Sequence, residues 1–323
     1  MTIGALRVKN EARWIQRVLR SIWPVCHKIV VFDDHSTDDT RQIAHDEGAV
    51  VIESPFQGVE ERRDKDYLLD QIWKGGAQLN DWVLMVDGDE MLCQEDIPAL
   101  LKVTASKSLV AANFHIVYLW DREDQIRIDR WYAEFRRPSL FRLTQRKLSF
   151  MHTAFGGGFH CFSIPQQLIG SDATAPVRLL HYGYLNREDR IAKYHWYNKI
   201  DPNDETEDRY RHMVIGDVFP ADSVFKWAGP LELQAFKIPT DPPDFVIEIP
   251  PILPPRPREY KGLYDPKRGI FEPPEMAECL EHGRCVVDGS VVRLPWFIDT
   301  EAGVVKQYGE PEELNGKVEI VLR

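Results

Sequence analysis

The sharpest chemical signal in the chain is Asp87-Gly88-Asp89, which directly follows the apolar run Trp82–Val86. Two carboxylates one residue apart, with glycine between them, can face one divalent cation or its water shell. A hard cation such as Mn2+ or Mg2+, held through few protein oxygens, keeps positions open for phosphate oxygens. The tripeptide alone is equally compatible with an acidic loop at a strand end. A second acidic pair, Asp33-Asp34, follows the apolar run Lys28–Phe32 and opens an acidic, hydroxyl-rich stretch to Thr40. Between the two acidic sites lies Arg62-Arg63-Asp64-Lys65. Its cations, Arg63 and Lys65 in particular, suit a diphosphate inside an acidic protein, with a solvated charge run as the competing reading.

These residues need elements to position them, and the first 90 residues alternate strands and helices. Ile3–Val8 reads as a strand, and Asn10 as the N-cap of a helix carrying Trp14, Ile15, Val18, Leu19 and Ile22 until Pro24. Lys28–Phe32 is a second strand, after which Ser36 or Thr37 caps a helix closed by Gly48. Ala49–Ile52 is a third strand, and Asp64–Lys74 a helix with Tyr67, Leu68, Gln71 and Ile72 on one face. Trp82–Val86 is a fourth strand. This alternation predicts an α/β fold with a mostly parallel sheet flanked by helices, whose ligands bind beyond the carboxyl ends of the strands. Both acidic clusters fall at that edge. Strands are expected again at 109–120, 139–143 and 177–182, and a helix at 187–199. Residues 1–92 and 93–220 then form two halves of one domain. Residues 221–323 form a proline-rich extension ending in short β-like runs at 285–287, 291–294 and 318–322.

Val8-Lys9-Asn10-Glu11, then Asp33-Asp34-His35-Ser36-Thr37-Asp38-Asp39-Thr40, then Asp87-Gly88-Asp89 resemble in order the motif series of GT-A glycosyltransferases, especially the inverting family 2. The likeness is strong over residues 3–92, loose over 93–220 and absent beyond. His35 stands where that family has glycine. The resemblance implies a Rossmann-like GT-A fold, a nucleoside-diphosphate sugar donor (UDP-linked above others) and a glycan or other hydroxyl-bearing acceptor. It implies that Asp33 or Asp34 binds the nucleoside, in a pocket lined by Asn10 and Glu11. Asp87, Gly88 and Asp89 would carry the metal-bound diphosphate, and His181, at the end of the apolar strand 177–182, would complete the metal shell. The alternative for His181 is a satisfied core histidine. Family 2 has a carboxylate base, often in a Glu-Asp pair, and residues 140–187 hold no such pair. Asp129 and Glu134 are the candidates, with His160, beside Gly156-Gly157-Gly158, as a third.

Composition narrows the field further. In 323 residues, 40 Lys+Arg against 51 Asp+Glu give a formal charge of -11, which argues against general nucleic-acid binding. No apolar run approaches the roughly 20 residues that cross a bilayer, and the amino terminus has no secretory pattern. The five cysteines are scattered, which predicts reduced thiols in a cytoplasmic setting. Cys279, His282 and Cys285 lack zinc-ribbon spacing. Phosphate-loop, dinucleotide and hydrolase-elbow motifs are missing. Two other classes stay open: a non-catalytic sugar-nucleotide-binding module, and a haloacid-dehalogenase-type phosphatase. The latter places its Asp-x-Asp near the chain start, whereas two β-α units precede it here.

Overall fold

The computed structural model describes residues 1–153, 160–201 and 210–237, and beyond them only the backbone of seven strands. In chain order the first half runs β1 (Thr2–Val8), α1 (Ile15–Ile22), β2 (Lys28–Asp33), α2 (Thr40–Asp46), β3 (Val50–Glu53), α3 (Glu61–Lys74) and β4 (Trp82–Met85). The strands pair in parallel in the order β3-β2-β1-β4. Both faces are covered. Leu6 and Val8 of β1 pack with Val18, Leu19 and Ile22 of α1, while Ile3 and Ala5 pack with Leu68, Leu69 and Ile72 of α3. Burial on both faces explains why these strands read as unbroken apolar runs.

The second half adds β5 (Glu90–Leu92), α4 (Ile97–Ala105), β6 (Ala111–Trp120), β7 (Arg122–Arg127), α5 (Trp131–Glu134), β8 (Arg136–Arg142), β9 (Asp172–His181), α6 (Arg187–Ile200) and β10 (Leu233–Ala235). β8 runs against both β4 and β6. β6 therefore shares the direction of β4, and β9 lies parallel to β6. The expected α/β class is the one found. The carboxyl ends of β1, β2, β4, β6 and β9 share one edge of the sheet, and the Arg136–Arg137 start of β8 joins them.

Local expectations shift in three places. Asn10 does not cap α1, whose N-cap position is Trp14; it takes a left-handed φ of 57° and its Oδ1 accepts from Thr37 N at 2.7 Å. Ser36 and Thr37 do not cap α2, which starts at Thr40 with Asp38 Oδ1 accepting from Thr40 N at 3.1 Å. On α3 the buried apolar face is Leu68, Leu69 and Ile72, with Gln71 turned away.

The chain divides into two compact units, Met1–Pro250 and Pro251–Arg323, and β10, beyond residue 220, pairs antiparallel with β7. The second unit, Pro251–Arg323, has strands at 260–265, 270–272 and 318–322 in one sheet. Hairpins pair 284–287 with 290–293 and 296–299 with 304–307. The Gly156–Gly158 loop, Cys279, His282 and the side chain of Cys285 lie outside the described residues. No described helix is long and apolar enough to cross a membrane.

Candidate active site

The loop after β1 is lashed to the loop after β2. Ser36 Oγ accepts from Asn10 N at 2.8 Å, Thr40 Oγ1 from Glu11 N at 2.7 Å, and Asp38 Oδ2 from Ala12 N at 3.1 Å. His35 has a φ of 56°, and its Nε2 lies 2.5 Å from Phe56 O. It thus adopts the left-handed backbone that glycine takes without strain, which accommodates the departure from the family motif.

The two acids after β2 have different surroundings. Asp34 is buried against Arg7, whose Nη2 donates to it at 2.8 Å while Nε donates to Asp64 at 2.9 Å. Asp33 is fully buried; its Oδ2 accepts from Ser36 N at 3.0 Å, and its Oδ1 has no hydrogen-bond partner among the described residues. A buried carboxylate oxygen without a donor is costly unless something supplies one.

Asp87-Gly88-Asp89 forms the turn between β4 and β5. Glu90 then pairs with His181 across β5 and β9, and that register sets His181 beside Asp89. Their closest atoms, His181 Nε2 and Asp89 Oδ2, are 3.9 Å apart. Lys193 of α6 reaches the same oxygen at 2.5 Å. Asp87 is exposed and turns instead to Arg137, at 2.8 Å, which also binds Glu90. The three expected ligands therefore do not form one shell: Asp89 and His181 come together, and Asp87 does not join them. Among the described residues no three His, Cys, Asp or Glu side chains are grouped for a metal.

Two glycines keep this turn open. A Cβ on Gly88 would lie 2.7 Å from Glu11 Cγ, and one on Gly183 would lie 1.9 Å from Asp89 Oδ2 and 2.4 Å from Lys193 Nζ. Burial pushes His181 down to about 4, so its imidazole is neutral at physiological pH, enclosed by the rings of Tyr118 at 5.0 Å and Tyr184 at 4.5 Å. Burial works against the Asp89 carboxylate, but Lys193 and His181 outweigh it and hold the group well below the usual range. Glu11 is pushed up to about 8 by burial and by Asp89.

A second cluster adjoins the first through α6. Tyr197, one turn beyond Lys193, stacks on Tyr210 at 4.7 Å and meets the His160 ring edge-on at 5.6 Å. Its phenol is raised by burial and by nearby Tyr184, and it also feels Lys193, Glu61 and Asp89. His160 Nδ1 is 3.7 Å from Glu61 Oε1, and His160 Nε2 is 3.2 Å from the Tyr210 hydroxyl, which donates to Asp201 at 2.6 Å. Glu61 Oε2 accepts from Cys161 N at 3.0 Å. Burial would raise the Glu61 carboxyl, but Lys65, His160 and Arg7 hold it well below its ordinary value.

Other sequence candidates do different work. Asp129 is buried and held by both Arg127 Nε at 2.6 Å and Nη2 at 3.0 Å, and it accepts from Gly229 N at 2.6 Å. With its oxygens so engaged it fastens β7 to the segment before β10, and it is corrected from base to structural residue. Glu134 is exposed at the end of α5. Lys65 is buried and donates to the carbonyls of Cys161 and Phe162 at 3.0 and 3.3 Å, so it anchors the loop before β9 rather than facing a diphosphate. Arg63 caps the Phe56 ring at 4.4 Å and pairs with Asp64 at 2.8 Å. The cations that do meet the Asp87–Glu90 turn, Arg137 and Lys193, were not singled out from sequence. A signal existed for Lys193, which follows Arg187 and Arg190 at three-residue steps on the helix after His181.

No protein-family profile matches the chain. It is similar to an uncharacterised glycosyltransferase of Rickettsia prowazekii (strain Madrid E), 38% identical over 87 residues that make up 27% of this chain and 27% of that protein. It is also similar to one of Rickettsia bellii (strain RML369-C), 26% identical over 200 residues, 59% of this chain and 62% of that protein. The chain thus spans about a quarter of the first relative's length and under two thirds of the second's. Among solved structures, glucosyl-3-phosphoglycerate synthase from Mycobacterium tuberculosis with Mg2+ and uridine diphosphate superposes with a TM-score of 0.29 and 21% identity, covering 36% of this chain and 43% of that one. The same enzyme with Mn2+ and UDP-glucose gives a TM-score of 0.27 at 22% identity, covering 36% of this chain and 43% of that one.

Proposed function

We propose that the chain is a metal-dependent, inverting glycosyltransferase of the GT-A type. It would move a sugar from a nucleoside-diphosphate donor, UDP-linked, to a hydroxyl-bearing acceptor. The carrying observation is the grouping at one sheet edge of the unpartnered Asp33 oxygen, the Asp89–His181 pair and the Glu61–His160 pair. Asp33 Oδ1 suits the imide N–H of uracil, with Asn10 and Glu11 lining the nucleoside pocket and Gly88 keeping the backbone close. Asp89 and the neutral His181 offer an open set of two donors, which fits a Mn2+ or Mg2+ ion completed by diphosphate oxygens. Such an ion, when bound, supplies Lewis-acid stabilisation of the leaving diphosphate. Arg137, beside the exposed Asp87, adds positive charge at the same turn. Residues 1–92 would supply the nucleoside pocket and the Asp87–Asp89 turn, and residues 93–220 the acceptor side together with His181 and Arg137 at the diphosphate end.

Of the base candidates, His160 has the supporting geometry. Glu61 faces its Nδ1 at 3.7 Å and the Tyr210 hydroxyl its Nε2 at 3.2 Å, so the ring is oriented by a carboxylate, and an acceptor hydroxyl would take the place of Tyr210 at Nε2 to hand over its proton. His160→Gln is expected to lower turnover roughly 10²- to 10⁴-fold with donor affinity within a few-fold. Unchanged turnover removes His160 from the reaction and leaves Glu134.

The reading as a whole is tested by calorimetric titration of UDP-, GDP- and dTDP-sugars with and without Mn2+, followed by product analysis. Binding of a UDP-sugar that needs Mn2+ and weakens in Asp33→Asn is expected, with the anomeric configuration inverted in the product. Binding without turnover on any acceptor would identify a binding module. Phosphate released from simple phosphoesters would identify a phosphatase.

A further inference from the structure

We propose that Lys193 is a resident counter-ion that Asp89 exchanges for the donor's cation, so that the cation and the nucleoside diphosphate bind together and weakly apart. The inference rests on the donor site proposed above and concerns what occupies that site between turnovers.

A buried carboxylate cannot stand alone in a low-dielectric site, because desolvating an ion without a partner is strongly unfavourable. Lys193 meets this need at 2.5 Å. It does so on the oxygen that His181 Nε2 approaches to 3.9 Å, the position a cation would share. The two positive partners are therefore alternatives. The space is also specifically kept, since any Cβ at Gly183 would overlap both Asp89 Oδ2 and Lys193 Nζ.

Lysine suits an exchange. Its ammonium is a point charge on a flexible stem, unlike the planar fork of arginine. The Lys193 side chain keeps 29% of its surface exposed, and its Nζ lies 5.7 Å from the Tyr184 ring centroid, so it can swing while staying over an aromatic face.

The charge balance then sets the order of events. A divalent cation arriving alone would have to displace the Lys193 ammonium from its 2.5 Å contact with Asp89 and would bring no anion to receive it. A cation arriving with a diphosphate brings that anion. Lys193 leaves Asp89 for a diphosphate oxygen, and no bond other than these ionic contacts changes. Cation and nucleotide thus favour each other's binding, by the same factor in either order.

The test uses the full chain and measures Mn2+ affinity by electron paramagnetic resonance of the free ion, with and without UDP. In the wild type UDP is expected to tighten Mn2+ by about 10-fold or more, within the usual range of coupling between sites. In Lys193→Met, Mn2+ alone is expected to bind about 10-fold tighter than in the wild type, and the coupling to fall to a few-fold. Lys193→Arg, which keeps the buried charge paired if the methionine variant fails to fold, should retain the coupling while weakening Mn2+ with UDP. Two results overturn the proposal: Mn2+ affinity without UDP unaltered in a folded Lys193→Met, or Lys193→Arg binding Mn2+ equally with and without UDP. In either case wild-type binding of UDP with Mn2+ leaves the donor site standing. If the wild type binds no nucleotide under any condition, the functional reading itself fails.

Discussion

Asp89 and Asp129 are both buried carboxylates in contact with a cation, one at 2.5 Å from Lys193 and the other at 2.6 Å from Arg127. Around Asp129 everything is closed. Its side chain is 2% exposed and that of Arg127 0%; the guanidinium packs on the rings of both Trp120 and Tyr132, and Gly229 N donates to a carboxylate oxygen. Around Asp89 the partner is a lysine with 29% of its side chain exposed, a neutral imidazole stands by, and a glycine preserves the gap. Burial and a nearby cation do not make a functional carboxylate. The difference lies in whether the partner can leave and whether something can take its place.

The largest effect expected from that contrast is on folding. Arg127→Met strands the Asp129 charge in a sealed site, where removing one partner of a buried pair typically costs about 3–5 kcal/mol. Urea denaturation should register that loss, with nucleotide affinity of the folded fraction unchanged. A wild-type midpoint would show that the pair is not locked, and the comparison would collapse.

Asp89→Asn reverses the pattern. Lys193 can turn to solvent, so the melting temperature should shift little, whereas turnover should fall by roughly 10² to 10³, the scale of losing one preorganised electrostatic contact. A variant that keeps full activity, or a wild type fully active in EDTA, would remove the turn from the chemistry.

Gly183→Ala probes the gap itself. The added Cβ must push aside Asp89 or Lys193. Weakening of Mn2+ with UDP by about 10- to 100-fold, as when the support of a metal site is disturbed, is expected with the sheet intact. Affinity equal to wild type would mean that the gap is not used.

Much of the fold was legible because both-face burial writes itself as apolar runs, and because each acidic motif directly follows such a run. His181 was legible as a strand end. The site's cations were not: Lys193 and Asp89 are 104 residues apart, and Arg137 and Glu90 are 47 apart, distances over which one sequence carries no pairing signal. Asp129 was misread for a related reason. Arg127 and Arg130 beside it look the same in sequence whether they keep a base ionised or seal a rivet. Lys65 misled in the opposite sense, since nothing in a charged tetrapeptide at a helix start reveals that its ammonium is buried against two carbonyls.

Glu61 lies between the two extremes, and it gives the smallest of the expected effects. One oxygen faces the buried Lys65 and Cys161 N, as in a locked pair, while the other faces His160, whose side chain is 35% exposed. Burial alone would raise its carboxyl above the ordinary 4.5, yet Lys65, His160 and Arg7 together hold it lower. The folded chain therefore takes up this proton less readily than the unfolded chain, so stability rises with pH wherever the unfolded state binds more protons. The contribution is fully present above the unfolded carboxylate range and is lost as pH falls below about 4.5 toward the lower folded value. Urea midpoints of the wild type and Glu61→Gln should therefore lie furthest apart near pH 7 and converge on acidification. A gap that stays constant down to pH 3 would mean that Glu61 is not held low. The second cluster would then resemble the open Asp89 site more than the sealed one at Asp129.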